Sequence, residues 1–426
     1  MAGTLLFKNA RIIDPNSKHN DKERDILIRN GKIESIKAKI NLDKLQTIDL
    51  KGACVSPGWL DVGVQVGDPG FEHREDLDSV AAAAAAGGYT GIVCQPNTSP
   101  VIHSKTEVLY LKNRTKDKLV NFYPLGAVSR DCGGADITEM NDMHAAGAVA
   151  FSDGEKSIQD SGLMKRALQY VKGFDGIVIN TPQDNELAHK GQMHEGLIST
   201  TLGMRGIPAL AEELMTRRDI SLLEYTESHL HLSSISTAKS AALVKEARAN
   251  GMQLTASVAA MNLTLDDEHL LDYDTNYKVL PPLRGKNDMK ALLKALKNGA
   301  IDFITSNHHP HDEESKKLEF PLADFGVIGL ETTYALLNSH LGKQCSQEEL
   351  VNWLSINARK VLRLPVPLIE VDEVANLTIF DPNIEWTYDK SAIQSKSHNS
   401  PFIGTRFTGK VLGVLNNGQL ELNKIN

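Results

Sequence analysis

The sequence predicts an α/β fold: a (β/α)8 barrel carrying a small β-sandwich domain built from both chain termini. Three observations carry that expectation. From about residue 56, apolar strand-like runs alternate with helical ones, the signature of repeated βα units on a parallel sheet. Eight candidate strands fall within about 300 residues, the span such a barrel takes. Both ends of the chain, 1–55 and 366–426, turn instead to short strands with turn signals, leaving 56–365 for the barrel.

Taken in order, TLLFKNARII, DILIRNGKIESI and TIDLKGACV open the chain, and Asn30-Gly31 marks a tight hairpin turn. The barrel strands are then WLDVGVQV, TGIVCQPN, NFYPLGAV, AVAFSD, GIVIN, LHLSS, LTASVA and DFITSN. Between them lie LDSVAAAAAAGG, EVLYLKNRTKDK, SGLMKRALQYVKG, TAKSAALVKEARANG and NDMKALLKALKNG, several closing on the glycine that suits a helix C-terminus. EVANLTIFDP and FTGKVLGVLNNGQLEL return to strands and complete the opening β layer. The Ala81–Ala86 run is ordinary helix former, and no internal repeat is present.

Composition narrows the function classes. With 41% hydrophobic residues among 426, the chain can bury a substantial core. A net charge of -8, with no lysine or arginine block, disfavours nucleic acid, whose phosphates need a concentrated basic face. No run approaches the length of a membrane span and the N-terminus does not read as a secretion signal, so a cytoplasmic protein is expected. Cys54, Cys94, Cys132 and Cys345 lie too far apart for a zinc knuckle and read as reduced packing residues.

Chemistry on such a barrel sits at the C-terminal strand ends. There the sequence places Gly63 and Gln65, Asn97, Asp153, Asn180 and Thr181, Ser234, and Asn307 with His308. Metal-assisted hydrolysis asks for histidine and carboxylate at such places, with a carboxylate to move the proton. This chain offers one carboxylate there and mostly amides and hydroxyls otherwise.

The motifs PGWLDV, DPGFEHREDL, QPNTSPVI, GAVAFSDGEKSIQDSGLM, KVLPPLR, NHHPHDEE, FGVIGLET and SKSHNSPFIGTRFTGKV span nearly the whole chain. In them the chain resembles the long (type I) dihydroorotases of the amidohydrolase superfamily. That resemblance implies an amidohydrolase-type barrel, a zinc centre, and hydrolysis of a cyclic amide in pyrimidine biosynthesis. It also implies where the ligands belong, and there the chain departs. The family's His-x-His followed by x-Arg falls on Gly63, Gln65 and Gly67. Its histidine after strand five falls on Thr181, and its histidine after strand six on Ser234. Its catalytic aspartate falls on Asn307, and the asparagine of Lys-Val-Asn-Pro-Pro-Leu-Arg on Leu280. Asp153 keeps the identity of a ligand while Gly154 departs; Asn97, His308 and His311 remain as vestiges of a substrate pocket, together with the positions Gly67 and Leu280.

A catalytic zinc needs about three anionic or imidazole ligands, and Asp153 alone does not supply them. Without the metal the attacking water keeps a pKa far above the value of about 7 that zinc confers, and Asn307 has no proton to shuttle. The resulting expectation is a degenerate dihydroorotase-like protein with no catalytic residue, no metal and no cofactor. It would be retained as a structural or regulatory partner, homodimeric and able to pair with aspartate carbamoyltransferase. Two alternatives stand beside it. One is an active cyclic amidohydrolase with metal relocated onto His308, His311, Asp153 and a histidine of strand six; the other is a small-molecule sensor using the emptied pocket. The HLH of His229 and His231 reads as strand-entrance or packing residues, HHPH as inherited loop, and Glu212 with Glu213 as a solvated helix face.

Overall fold

The computed structural model describes residues 3–42 and 45–423. Five strands open the chain: β1 (Thr4–Ile12), β2 (Glu23–Arg29), β3 (Lys32–Lys37), β4 (Gln46–Asp49) and β5 (Cys54–Pro57). Asn30 and Gly31 both take positive φ, 51° and 75°, so the predicted turn joins β2 to β3 as an antiparallel hairpin.

The barrel strands follow: β6 (Trp59–Val64), β7 (Tyr89–Cys94), β8 (Asn121–Gly126), β9 (Ala150–Phe151) and β10 (Val178–Asn180). A two-strand ribbon, β11 (Met193–His194) with β12 (Gly206–Ile207), interrupts them before β13 (Leu230–Leu232), β14 (Leu254–Ala259) and β15 (Phe303–Thr305). β6 through β10 and β13 through β15 form one parallel eight-stranded sheet in chain order. The seam between β6 and β15 is held by a side chain: Asp61 accepts from the backbone N of Ser306 at 2.9 Å and from its hydroxyl. Asp61 is fully buried, and that burial pushes its carboxyl up to about 6. Beyond it, Gln65 N donates to His308 O at 3.1 Å, joining the two strand exits.

β16 (Leu377–Tyr388), β17 (Thr405–Asn416) and β18 (Gln419–Leu422) complete the second sheet, in the order β18-β17-β16-β5-β1-β2-β3, with β4 beside β1. Residues from both ends of the sequence thus share one sheet, and the short β5 carries the chain from it into the barrel. The two layers meet at Trp59, fully buried, with Tyr89, Tyr334 and Phe380 around its ring and its Nε1 bonded to Ser56 Oγ at 3.0 Å. The four cysteines are free and buried. Among the described residues, no helix is long and apolar enough to cross a membrane.

The helix Ala209–Thr226 corrects one expectation. Glu212 does not face solvent. It is 3% exposed and accepts from the backbone and hydroxyl groups of Ser236 and Thr237, with the buried Arg284 3.7 Å away. A buried carboxylate persists only when its lone pairs are met in this way. Glu213, half-buried, pairs with Lys239 at 3.0 Å.

Candidate functional site

A cavity of about 500 Å³ opens at the C-terminal ends of the barrel strands. Gly63, Gln65, Thr181, Ser234, Leu280, Asn307, His308 and His311 all line it, so the fold gathers most of the positions singled out from the sequence. Gly67 and Asn97 line an adjoining cleft of about 280 Å³ instead. Asp153 lines neither: Ser129 holds its carboxylate, with the backbone N at 2.8 Å and the hydroxyl on the second oxygen. Burial raises the Asp153 carboxyl above its ordinary range.

The first barrel strand is irregular at the positions singled out. Gly63 has φ +89°, a left-handed conformation that breaks the pairing of β6 with β7 between Val62 and Val64. At Gly67, φ is +68° and an added Cβ would stand 2.1 Å from Glu75 O and 3.0 Å from Phe71 O. The turn from 67 to 75 thus leaves no room for a side chain at the place where the resemblance implies an arginine. Gln65 donates to Glu155 at 3.0 Å, Thr181 to Gly154 O at 3.4 Å, and Asn307 to Leu280 O at 3.2 Å. The side chains that replace the expected histidines at 65 and 181 are thus tied to the protein itself.

The histidine clusters do not converge. His231 lies inside the barrel, stacked on Phe303, with Nδ1 2.9 Å from Thr255 Oγ1 and Nε2 3.0 Å from Ser257 Oγ. Both ring nitrogens are occupied, and burial pushes the imidazole down to about 3. His229 sits near the opposite end of the strand against Asp175 and Arg363. His308 accepts from Gly329 N at Nδ1 and turns Nε2 toward the buried Glu75 at 3.5 Å. His309 stacks on His311, and burial lowers the pKa of both rings, keeping them neutral. The relocated set of His308, His311, Asp153 and a strand-six histidine is not brought together.

The zinc implied by the resemblance does not fit this donor set. Zinc takes thiolate, imidazole or carboxylate at about 2.0–2.3 Å in groups of three or four. Among the described residues no group of three or more His, Cys, Asp or Glu is placed to hold a metal.

Some lining residues were not singled out from the sequence. Arg74, Gln95, Glu155, Lys156 and Thr305 all face the cavity, and Asp324, Phe325 and Gly326 form one wall. That wall hangs from two buried lysines. Lys278 Nζ donates to Phe320 O and Ala323 O at 2.7 and 2.6 Å, and Lys316 Nζ to Asp324 O and Gly326 O at 2.8 and 3.0 Å. Arg74 and Gln95 sit in the quoted motifs DPGFEHREDL and QPNTSPVI, which is the one signal that could have marked them.

Comparison with known proteins agrees over the full length. A family described as Dihydro-orotase-like matches residues 52–240, and the Amidohydrolase family matches 211–420. A dihydroorotase of Pelotomaculum thermopropionicum is 40% identical over 421 residues, covering 98% of each chain. One of Acetivibrio thermocellus is 39% identical over 419 residues, again 98% of each. In fold, the chain is similar to the L-hydantoinase (dihydropyrimidinase) of Arthrobacter aurescens, with TM-score 0.86 at 23% identity, covering 99% of this chain and 98% of that one. It is similar also to the dihydropyrimidinase of Brevibacillus agri, with TM-score 0.84 at 21% identity, covering 99% and 95%. With such identity sustained from end to end, the chain belongs to the dihydroorotase family of amidohydrolases.

Proposed function

We propose that this member of the dihydroorotase family does not hydrolyse dihydroorotate, and that it serves pyrimidine biosynthesis as a binding or assembly component. One observation carries the reading: the positions that should present imidazoles to a metal are Gly63, Gln65, Thr181 and Ser234, and both oxygens of Asp153 belong to Ser129. Removing even an outer partner of a metal ligand commonly costs about 10–100-fold in affinity or activity. Loss of the ligands themselves leaves no basis for an activated water, and Asn307 cannot act as general base. Aspartate carbamoyltransferase is the proposed partner and a homodimer the proposed assembly, both on the strength of the family resemblance.

A second reading is an active dihydroorotase with ligands drawn from elsewhere. The relatives favour it, since those matched over the full chain are themselves called dihydroorotases. Metal analysis of protein purified without chelator, paired with a dihydroorotate hydrolysis assay, separates the two. The non-catalytic reading expects neither stoichiometric zinc nor turnover; chelator-sensitive hydrolysis overturns it. Mixing with aspartate carbamoyltransferase tests the partner: a stable complex or a change in that enzyme's rate is expected.

A further inference from the structure

A second cavity, of about 470 Å³, lies away from the barrel mouth, where β16, β17 and β18 meet the helices Leu77–Ala86 and Thr333–Leu341. It shares no lining residue with the cavity at the strand ends. Tyr388 lines it, 1% exposed, and its hydroxyl makes no hydrogen bond among the described residues. Buried polar groups are nearly always partnered, so an unmet hydroxyl on the wall of a cavity marks where the polar group of a ligand would lie.

Charge and ring faces narrow the class of that ligand. Glu331, Glu385, Asp389 and Glu421 line the cavity against one cation, Lys410. Two of the acids are answered, Glu385 by Arg406, and Asp389 by Ser391 and the charge of Lys410. Among the described residues Glu331 and Glu421 have no ion pair. Glu331 accepts from the backbone N of Gln394 and of Ser395 at 3.1 Å, and burial pushes its carboxyl up to about 8. Burial raises the Tyr388 hydroxyl too, and the charge of Glu331 adds to that, so the two groups lie within electrostatic reach of each other.

An ammonium beside Glu331 would supply the missing countercharge, and an anion would meet only repulsion there. Aromatic walls suit the same ligand: Lys410 Nζ lies over the Trp386 ring, 5.3 Å from its centroid, and Tyr334 and Tyr388 line the rest. A metal ion fits less well, since among the described residues no three His, Cys, Asp or Glu converge as ligands.

We propose that this cavity binds a small organic cation, a primary amine or diamine, with one ammonium between the Tyr388 hydroxyl and the Glu331 carboxylate and a second, where present, toward Glu421. The site goes beyond the assembly role proposed above and stands whether or not the barrel mouth is catalytic. Titration calorimetry of the full chain with 1,4-diaminobutane, and with 1,4-butanediol as uncharged control at matched ionic strength, tests it. Saturable binding of the diamine and none of the diol is expected. Tyr388→Phe removes a hydroxyl with no partner among the described residues. It should therefore not lower the urea midpoint, and should weaken the diamine by about tenfold. Glu331→Gln, which keeps an oxygen for Gln394 and Ser395, should weaken it by at least about tenfold. Glu155→Gln, at the barrel mouth, should leave diamine affinity unchanged. Absent diamine binding, diol binding of equal strength, unchanged affinity in Tyr388→Phe and Glu331→Gln, or loss in Glu155→Gln overturns the proposal. Should one cavity variant fail to fold, the other still reads the site.

Discussion

Ser129 takes both carboxylate oxygens of Asp153, one through its backbone N at 2.8 Å and the other through its hydroxyl. The one carboxylate that keeps a ligand's identity is therefore a structural acceptor. It fastens the exit of β9 to the loop after β8.

Asp153→Ala strands two buried donors on Ser129 and should cost about 1–3 kcal/mol. Urea denaturation measures that loss, and metal content should not differ from the parent protein. If Asp153 were a ligand, the variant would instead shed bound metal.

Restoring histidines to the first barrel strand should fail. In Gly63→His with Gln65→His, the new side chain at 63 must occupy a backbone at φ +89°, with its Cβ 3.1 Å from Gln95 Nε2. The left-handed conformation costs about 1–2 kcal/mol for a residue with a side chain. Lowered stability without zinc uptake is the expected result, read by denaturation and metal analysis.

His231 makes stability depend on pH. Its ring stays neutral in the fold down to about 3, whereas the unfolded chain protonates near the ordinary 6.5. The contribution is thus complete above pH 6.5 and is lost as pH falls toward 3, reaching about 2 kcal/mol by pH 5. In His231→Phe, which keeps a ring against Phe303, the change in unfolding free energy between pH 7 and 5 should shrink by that amount.

Glu212→Ala leaves the Arg284 guanidinium buried without its carboxylate. Breaking one side of a buried pair costs about 3–5 kcal/mol. A fall in urea midpoint of that size is expected, whereas Glu213→Ala, whose partner Lys239 is exposed, should change stability by less than about 1 kcal/mol.

The contrast between Glu212 and Glu213 shows where sequence reasoning reached its end. Alternating strands and helices carry a period that survives in one dimension, so the barrel was legible from residue 56 onward. The substituted positions were legible too, because Gly63, Gln65, Thr181 and Ser234 announce by identity that they bear no imidazole. Adjacent glutamates announce nothing. The partners that bury Glu212 are Ser236, Thr237 and Arg284, brought to it by other elements of the barrel. The role of Arg74 and Gln95 was hidden likewise, since only the closed barrel turns them toward one cavity. His231 reads as packing or strand entrance, and its ring stacks on Phe303 inside the barrel, yet nothing local foretells that Thr255 and Ser257 take both nitrogens.

The close approach of Gly67 to Glu75 sets a backbone condition on any side chain at that position. An arginine regained there by one codon change would collide with a carbonyl before its guanidinium met anything, so the turn from 67 to 75 must first be rebuilt. An arginine at this position therefore requires the main chain between 67 and 75 to move, and the side-chain change alone does not suffice.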